Sequence, residues 1–253
     1  MSSPLRQKSL PAPGQSLDEE LTRLRDINGR GYLFFIACVA ILAVMEWYGY
    51  FFGMPRPPWL FTGLAVVSGI VAYRQFRHAR TRAEQIRLGR DGERLVGQSL
   101  EALRAIGASI LHDVPGDGFN LDHVVICDRG VVVVETKTWS KPERDAKIAF
   151  DGDQLLVAGR KPRHDPLLQV RAQIRWLSNL LEQLTGEVFP VRGALVFPGW
   201  WCDPAPPGIR HDIWVLEPQA LPSFIEQESV RLSVEQISRA TIYLSNFVRR
   251  VAQ

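Results

Sequence analysis

The chain has 253 residues, 46% of them hydrophobic and 23% charged, with a formal net charge of +3. This is ordinary globular composition with enough chain for a sizeable core in one or two domains, and so mild a basicity compels no nucleic-acid partner. Cys38, Cys127 and Cys202 are widely spaced. No CxxC or Cys/His cluster occurs, so neither a disulfide framework nor a zinc site is readable, which suits a reducing compartment.

In chain order, residues 1–30 are polar, and "SLDEELTRLRDI" reads as a short helix with Ser16 ahead of an acidic first turn. Residues 31–53, "GYLFFIACVAILAVMEWYGYFFG", form an apolar run broken only by Glu46. Residues 58–73, "PWLFTGLAVVSGIVAY", form a second without any charge, and "MPRP" separates the two. A bilayer core needs about 20 apolar helical residues. The first run reaches that length, and the second needs some thinning or snorkelling by Arg74. Trp47, Tyr48, Tyr50 and Trp59 gather around the break, with Tyr32 and Tyr73 at the opposite ends, as aromatic belts do. The expectation is a two-helix transmembrane hairpin. Arg23, Arg25, Arg30 and the Arg-rich stretch after Arg74 place both termini and the following domain on the cytoplasmic side. The competing reading is a pair of buried core helices in a soluble protein. The Arg-rich stretch 74–90 reads as a juxtamembrane helix against anionic headgroups; the rival use is steering of nucleic-acid phosphates. The expected organisation is a polar segment 1–30, a hairpin 31–76, a basic linker helix 77–88 and a soluble domain 89–253.

The soluble part alternates helix and strand signals. "GRDGERLVGQSLEALRAIG" has helical period, with Gly107 as a stop. "SILHDVP", "LDHVVICD" and "GVVVVETKT" read as strands, with turns at "GDGFN" and at Asp128, Arg129 and Gly130. "AKIAFDGDQLLVAGRKP" reads as a hairpin turning near Asp151-Gly152. "DPLLQVRAQIRWLSNLLEQLTG" is an amphipathic helix with Pro166 in its first turn and Gly186 past its end. Two further strands, "VRGALVFPGW" and "DIWVLEP", precede a closing helix over "LSVEQISRATIYLSNFVRRVAQ". The order predicts an α/β (α+β) fold around a mixed sheet flanked by helices.

The costly residues are the informative ones. If Asp128 and Arg129 form a two-residue loop, Cys127 pairs with Gly130 and Asp122 falls opposite Glu135 on one face. Lys137 shares that face. Two carboxylates this close raise a pKa unless a cation lies between them. A hard divalent ion, Mg²⁺ first, suits such oxygen ligands and polarises a phosphodiester. Lys137 would then orient water or offset transition-state charge. The competing reading is a strand leaving the core, with Glu135 and Lys137 solvated and Asp122 serving a loop. His123 points opposite Asp122 and is not expected to ligate. Asp113 and Asp117 are not expected to join, and Trp200 and Trp201 read as core or rim aromatics before base-stacking ones.

"GRDGE" (89–93), "LDHVVICDRGVVVVETKTW" (121–139) and "DPLLQVRAQ" (165–173) stand in this order. Together they resemble the nuclease-related domain, NERD, a branch of the PD-(D/E)xK nuclease superfamily; the likeness covers roughly residues 89–200. It implies a restriction-endonuclease-like core, Asp122 and Glu135 as metal ligands, and Lys137 as catalytic. It also implies Glu93 as an accessory acid on the first helix and Gln169 as the polar helix residue facing the site. Leu121 stands where the superfamily has proline, and "SKPERDAKI" lacks a Gly-rich turn. The implied activity is Mg²⁺- or Mn²⁺-dependent hydrolysis of nucleic acid at a membrane, DNA ahead of RNA. The rival is an inactive nuclease fold that binds nucleic acid or a protein partner there.

Overall fold

The computed structural model describes residues 10–53, 59–204 and 212–251, with the side chains of 25–33 and 60 outside that description. Two compact units are present, one of residues 16–88 and one joining the segment up to Gln15 with residues 89–253.

In the first unit, α1 (Gln15–Phe51) is one continuous helix. The short helix expected after Ser16 and the first apolar run are therefore a single element: no proline falls between them, and the helix runs through Gly29 and Gly31. α2 (Leu60–Arg104) likewise fuses the second apolar run, the Arg-rich stretch and the first motif helix. "MPRP" lies outside the described residues. One stretch, Phe34–Phe51, is long and apolar enough to cross a membrane. The expected second span is not matched by that measure, since its uncharged run is short and continues into the arginines of α2. Glu46, the lone charge of the first run, accepts a hydrogen bond from Phe61 N at 3.0 Å at the start of α2. Trp47 Nε1 donates to Thr62 Oγ1 at 2.9 Å.

The second unit is built on a five-stranded mixed sheet. Its strands are β1 (Ser109–Pro115), β2 (Asn120–Cys127), β3 (Gly130–Thr136), β6 (Val191–Val196) and β8 (Ile213–Leu216), in the order β1-β2-β3-β6-β8. β1, β2 and β3 are antiparallel neighbours, whereas β3, β6 and β8 run parallel. A small second sheet holds β4 (Lys147–Phe150), β5 (Leu155–Val157) and β7 (Trp201–Cys202) in the order β5-β4-β7. The two-residue β7 and the short α4 (Leu221–Glu226) carry no periodic signal and were not expected from sequence.

Helices cover both faces of the large sheet. Val96, Leu100 and Leu103 of α2 meet Val132, Val134, Ala194 and Val196 on one face, with Leu221 and Ile225 of α4. On the other face, Leu177 and Leu181 of α3 (Pro166–Thr185) and Leu244 and Val248 of α5 (Val234–Val251) meet Val124, Ile126, Val131 and Val133. The unbroken Val131–Val134 run follows from this arrangement: a strand buried on both faces has no polar side.

α3 connects β3 to its parallel neighbour β6 and carries two of the site residues. Its start is set by Asp165, which accepts Leu167 N at 2.9 Å, and by Pro166 in the first turn. Its end is set by Gly186, whose φ of 74° is the left-handed C-terminal conformation. Losing the cap removes a hydrogen bond at the end nearest the site. Asp165→Ala should lower unfolding stability by about 1 kcal/mol, read as a reduced urea midpoint at unchanged slope; an unaltered midpoint would show that the cap does not anchor α3.

Candidate active site

Strand pairing puts three acids in one row. The β2–β3 connection is the two-residue loop Asp128-Arg129, with Cys127 paired to Gly130 and the ladder continuing to His123↔Val134. The next position sets Asp122 opposite Glu135, the register the hairpin chemistry predicts. Backbone Thr136 N donates to Asp122 Oδ2 at 2.7 Å. On the far side of β2, the pairs His112↔His123 and Val114↔Leu121 leave Asp113 opposite Asp122. Cross-strand neighbours have Cβ atoms about 4.5–5.5 Å apart. Asp113 has a left-handed φ of 48°, and its Oδ2 accepts Gln15 N at 2.8 Å.

Glu135 is only 4% exposed, yet its carboxylate is well satisfied. Oε1 accepts Lys137 Nζ at 2.5 Å and Gln169 Nε2 at 2.8 Å. Oε2 accepts Gln173 Nε2 at 2.6 Å. Lys137 Nζ also donates to Gln169 Oε1 at 2.9 Å, closing a triangle of Glu135, Lys137 and Gln169. Glutamines four residues apart share one helix flank, so α3 delivers both amides to one carboxylate. Gln169 was expected from the motif. Gln173, the last residue of the "DPLLQVRAQ" motif, was not singled out and is buried at 1% exposure. The i,i+4 repeat of glutamine was the signal for it.

The other acids lack such compensation. Glu93, on α2, is buried, and its Oε2 has no hydrogen-bond partner. A backbone N–H from Gly14 helps its carboxylate, but burial, then the Asp113 and Glu135 charges, push its pKa up to about 8. Asp122 is held well above the usual carboxylate range by burial, then by the Glu135 and Glu93 charges, with Thr136 N and Lys137 pulling the other way. Close approach of α2 makes this possible. A Cβ on Gly92 would lie 2.1 Å from Thr138 Cγ2, so the glycine of "GRDGE" lets the helix carrying Glu93 approach the strand end carrying Lys137.

The remaining candidates separate from the cluster. His123 is fully buried on the opposite face, as expected, and its Nδ1 lies 2.8 Å from His112 Nδ1. Burial above all lowers His112 to about 4 and His123 to about 3, so the pair is neutral at physiological pH. Asp117 instead accepts Trp176 Nε1 at 3.2 Å. Trp200 is buried, donating to Trp139 O at 2.9 Å, while Trp201 is 56% exposed.

Among the described residues, no set of three or more His, Cys, Asp and Glu side chains is arranged to hold a metal ion. The acids nonetheless carry uncompensated burial and mutual repulsion. Asp122 has one oxygen engaged by backbone, Glu93 has a buried oxygen without a partner, and both resist ionising because of burial first and then their acidic neighbours. A divalent ion between Asp122 and Glu135 would relieve that repulsion.

Two outcomes follow. Gly92→Ala should push Glu93 and Thr138 apart and cost about 1–3 kcal/mol, checked by thermal or urea melts; a wild-type melt would refute the close-packing role. Glu93 and Asp122 hold their protons more tightly folded than unfolded, so the metal-free protein should lose stability as pH rises from 7.5 to 8.5, where the histidines are neutral in the folded and the unfolded chain alike. The slope should be at most about 1.4 kcal/mol per pH unit for each group. Glu93→Gln should flatten it in chelator-containing buffer, and a flat wild-type profile would contradict the assignment.

No curated protein and no solved structure matches the chain significantly. A family model does: the nuclease-related domain, over residues 88–198. That range contains the whole carboxylate, lysine and glutamine cluster, and this part of the chain matches the nuclease-related domain, NERD, consistent with the PD-(D/E)xK nuclease superfamily.

Proposed function

We propose that the protein is a membrane-anchored, metal-dependent phosphodiesterase that cleaves nucleic acid. The observation that carries this reading is Asp122 opposite Glu135, with the Lys137 ammonium on the Glu135 carboxylate. Asp122 and Glu135 would hold the ion, Mg²⁺ or Mn²⁺. When bound, it would polarise the scissile phosphate and acidify a water. Lys137 sits where it can orient that water or balance charge on the phosphate oxygens. Gln169 fixes both Lys137 and Glu135, so neither loses rotamer freedom when substrate arrives. Gln173 locks the second Glu135 oxygen. Glu93, with a pKa near neutrality, is placed to exchange a proton at its free Oε2.

For the membrane, the reading is a hairpin of the Phe34–Phe51 span and the apolar start of α2, with both termini cytoplasmic. Phe34, Phe35, Val44 and Met45 of α1 are exposed, as are Val66, Val67, Ile70 and Tyr73 of α2. Exposed apolar surface on this scale calls for a hydrocarbon partner. The Arg-rich continuation of α2 supplies the cytoplasmic charge.

A second reading has one observation in its favour: Lys137, Gln169 and Gln173 already satisfy both Glu135 oxygens without a metal. An inactive module binding nucleic acid at the membrane could keep such a cluster for stability.

A nicking assay separates the two. Full-length protein in detergent should cleave plasmid DNA or RNA with Mg²⁺ or Mn²⁺ and stop with chelator. Asp122→Asn, Glu135→Gln and Lys137→Met should each reduce the rate by about 100-fold or more while retaining a cooperative melt. Metal-independent binding without cleavage would establish the module instead. Alkaline carbonate should leave the full chain in the membrane pellet and detergent should extract it; recovery in the carbonate supernatant would refute the anchor.

A further inference from the structure

α3 carries a second i,i+4 pair. Arg171 and Arg175 follow Gln169 and Gln173 by two residues each, about 200° around a helix, so they emerge on the flank away from the acids. That flank borders a cleft of about 260 Å³, and both arginines line it. Arg129 from the β2–β3 loop, Arg192 at the start of β6 and Arg231 before α5 line it as well.

Five guanidinium groups therefore line the cleft with two carboxylates, Asp212 and Glu228. Arg171 pairs with Asp212 at 2.9 Å. Glu228 is shared, at 3.4 Å from Arg192 and 3.3 Å from Arg231, and its backbone carbonyl accepts from Arg129. Arg175 is exposed and has no acidic partner among the described residues. Arg192 is held in place over the Trp214 ring, 4.9 Å from its centroid. Arg129 also pairs with Asp128 at 3.3 Å, so five guanidinium groups meet three carboxylates, and the cavity keeps an excess of cationic forks and one aromatic wall. Guanidinium forks match phosphate oxygens bidentately, and their weak hydration makes them the side chains suited to that task.

We propose that this cleft is a second ligand site, which takes the phosphate of a small phosphorylated molecule of mononucleotide size. Its volume is just below the usual range for small-molecule pockets, about 300–1,000 Å³, room for a phosphoryl group and a modest organic part. A nucleic-acid backbone at the acids is a poor occupant. The cleft includes Gly130 at the start of β3, whereas Glu135 is five residues on, about 17 Å along the strand, and α3 stands between. Ile174, Pro190 and Ile225 give the inner wall apolar surface against which the organic part can rest.

The test is calorimetric titration of full-length protein in detergent and chelator with adenosine 5′-monophosphate and inorganic pyrophosphate. Wild type should bind both, more weakly as salt rises, and should not bind adenosine. Arg175→Ala, at an exposed position, should keep the wild-type melt and weaken binding at least tenfold; Arg192→Gln should do the same if it folds. Asp122→Asn should bind unchanged. The proposal fails if wild type shows no binding at millimolar ligand, or if Arg175→Ala binds as wild type does. It also fails if Asp122→Asn is the variant that loses binding. A 20-nucleotide oligomer without terminal phosphates should not displace either ligand; displacement sensitive to Arg175→Ala would assign the cleft to nucleic acid and overturn the small-ligand reading. None of these outcomes depends on cleavage, so failure here leaves the nuclease reading standing, and loss of cleavage leaves this one standing.

Discussion

The arrangement depends on one buried carboxylate, Glu135. A carboxyl group at 4% exposure is tolerable only with full hydrogen bonding, because desolvating a charge costs several kcal/mol. Three donors from two elements supply it: Lys137 from the same strand, Gln169 and Gln173 from α3. The same contacts tie α3 to the end of β3. Removing any one donor therefore removes both a charge partner and a fixed point between helix and sheet, and the two effects should not be additive.

Much of this was legible because it rests on local rules. "CDRG" admits a two-residue loop, the structure adopts it, and that loop sets the register that puts Asp122 beside Glu135. Asp165, Pro166 and Gly186 mark α3 at both ends by cap chemistry alone. What was not legible depends on pairing at a distance. Asp113 joins the acid row only through the β1–β2 register, and a left-handed aspartate inside a strand has no periodic signature. Gln15 N and Gly14 N, from far along the chain, donate to Asp113 and Glu93, and nothing near either acid announces that. The fused helices were missed for the opposite reason: change of composition marks a change of surroundings and not a change of backbone.

Burial is shared unequally within the acid row, and the inequality divides the labour. Glu135 has donors on both oxygens and a lysine beside it. Asp122 and Glu93 have one backbone N–H each and each other's charge. Negative potential is therefore concentrated on the side of the row away from α3, where Asp122 remains partly open to solvent. A cation approaching from that side meets an acid whose repulsion it relieves and an acid already positioned. Lys137 is held on Glu135 and Gln169, and its charge partly offsets those of Asp122 and Glu93.

α3 makes the two flanks of the sheet independent in chemistry and dependent in position. Its buried stripe of Leu167, Val170 and Leu177 packs against the sheet. The glutamines leave one edge of that stripe and the arginines the other. Any ligand drawing Arg171 and Arg175 toward the β6–β8 side would load the same rigid cylinder that sets the distance between Gln169 and Glu135. Close-packed interiors move such elements as units and do not deform them locally. An amide that reaches Glu135 at 2.8 Å has little slack, since hydrogen bonds weaken steeply beyond about 3.2 Å. Coupling between the cleft and the acids would thus need only a small shift of one helix, and its sign would depend on whether that shift brings Gln169 toward the strand end or away from it.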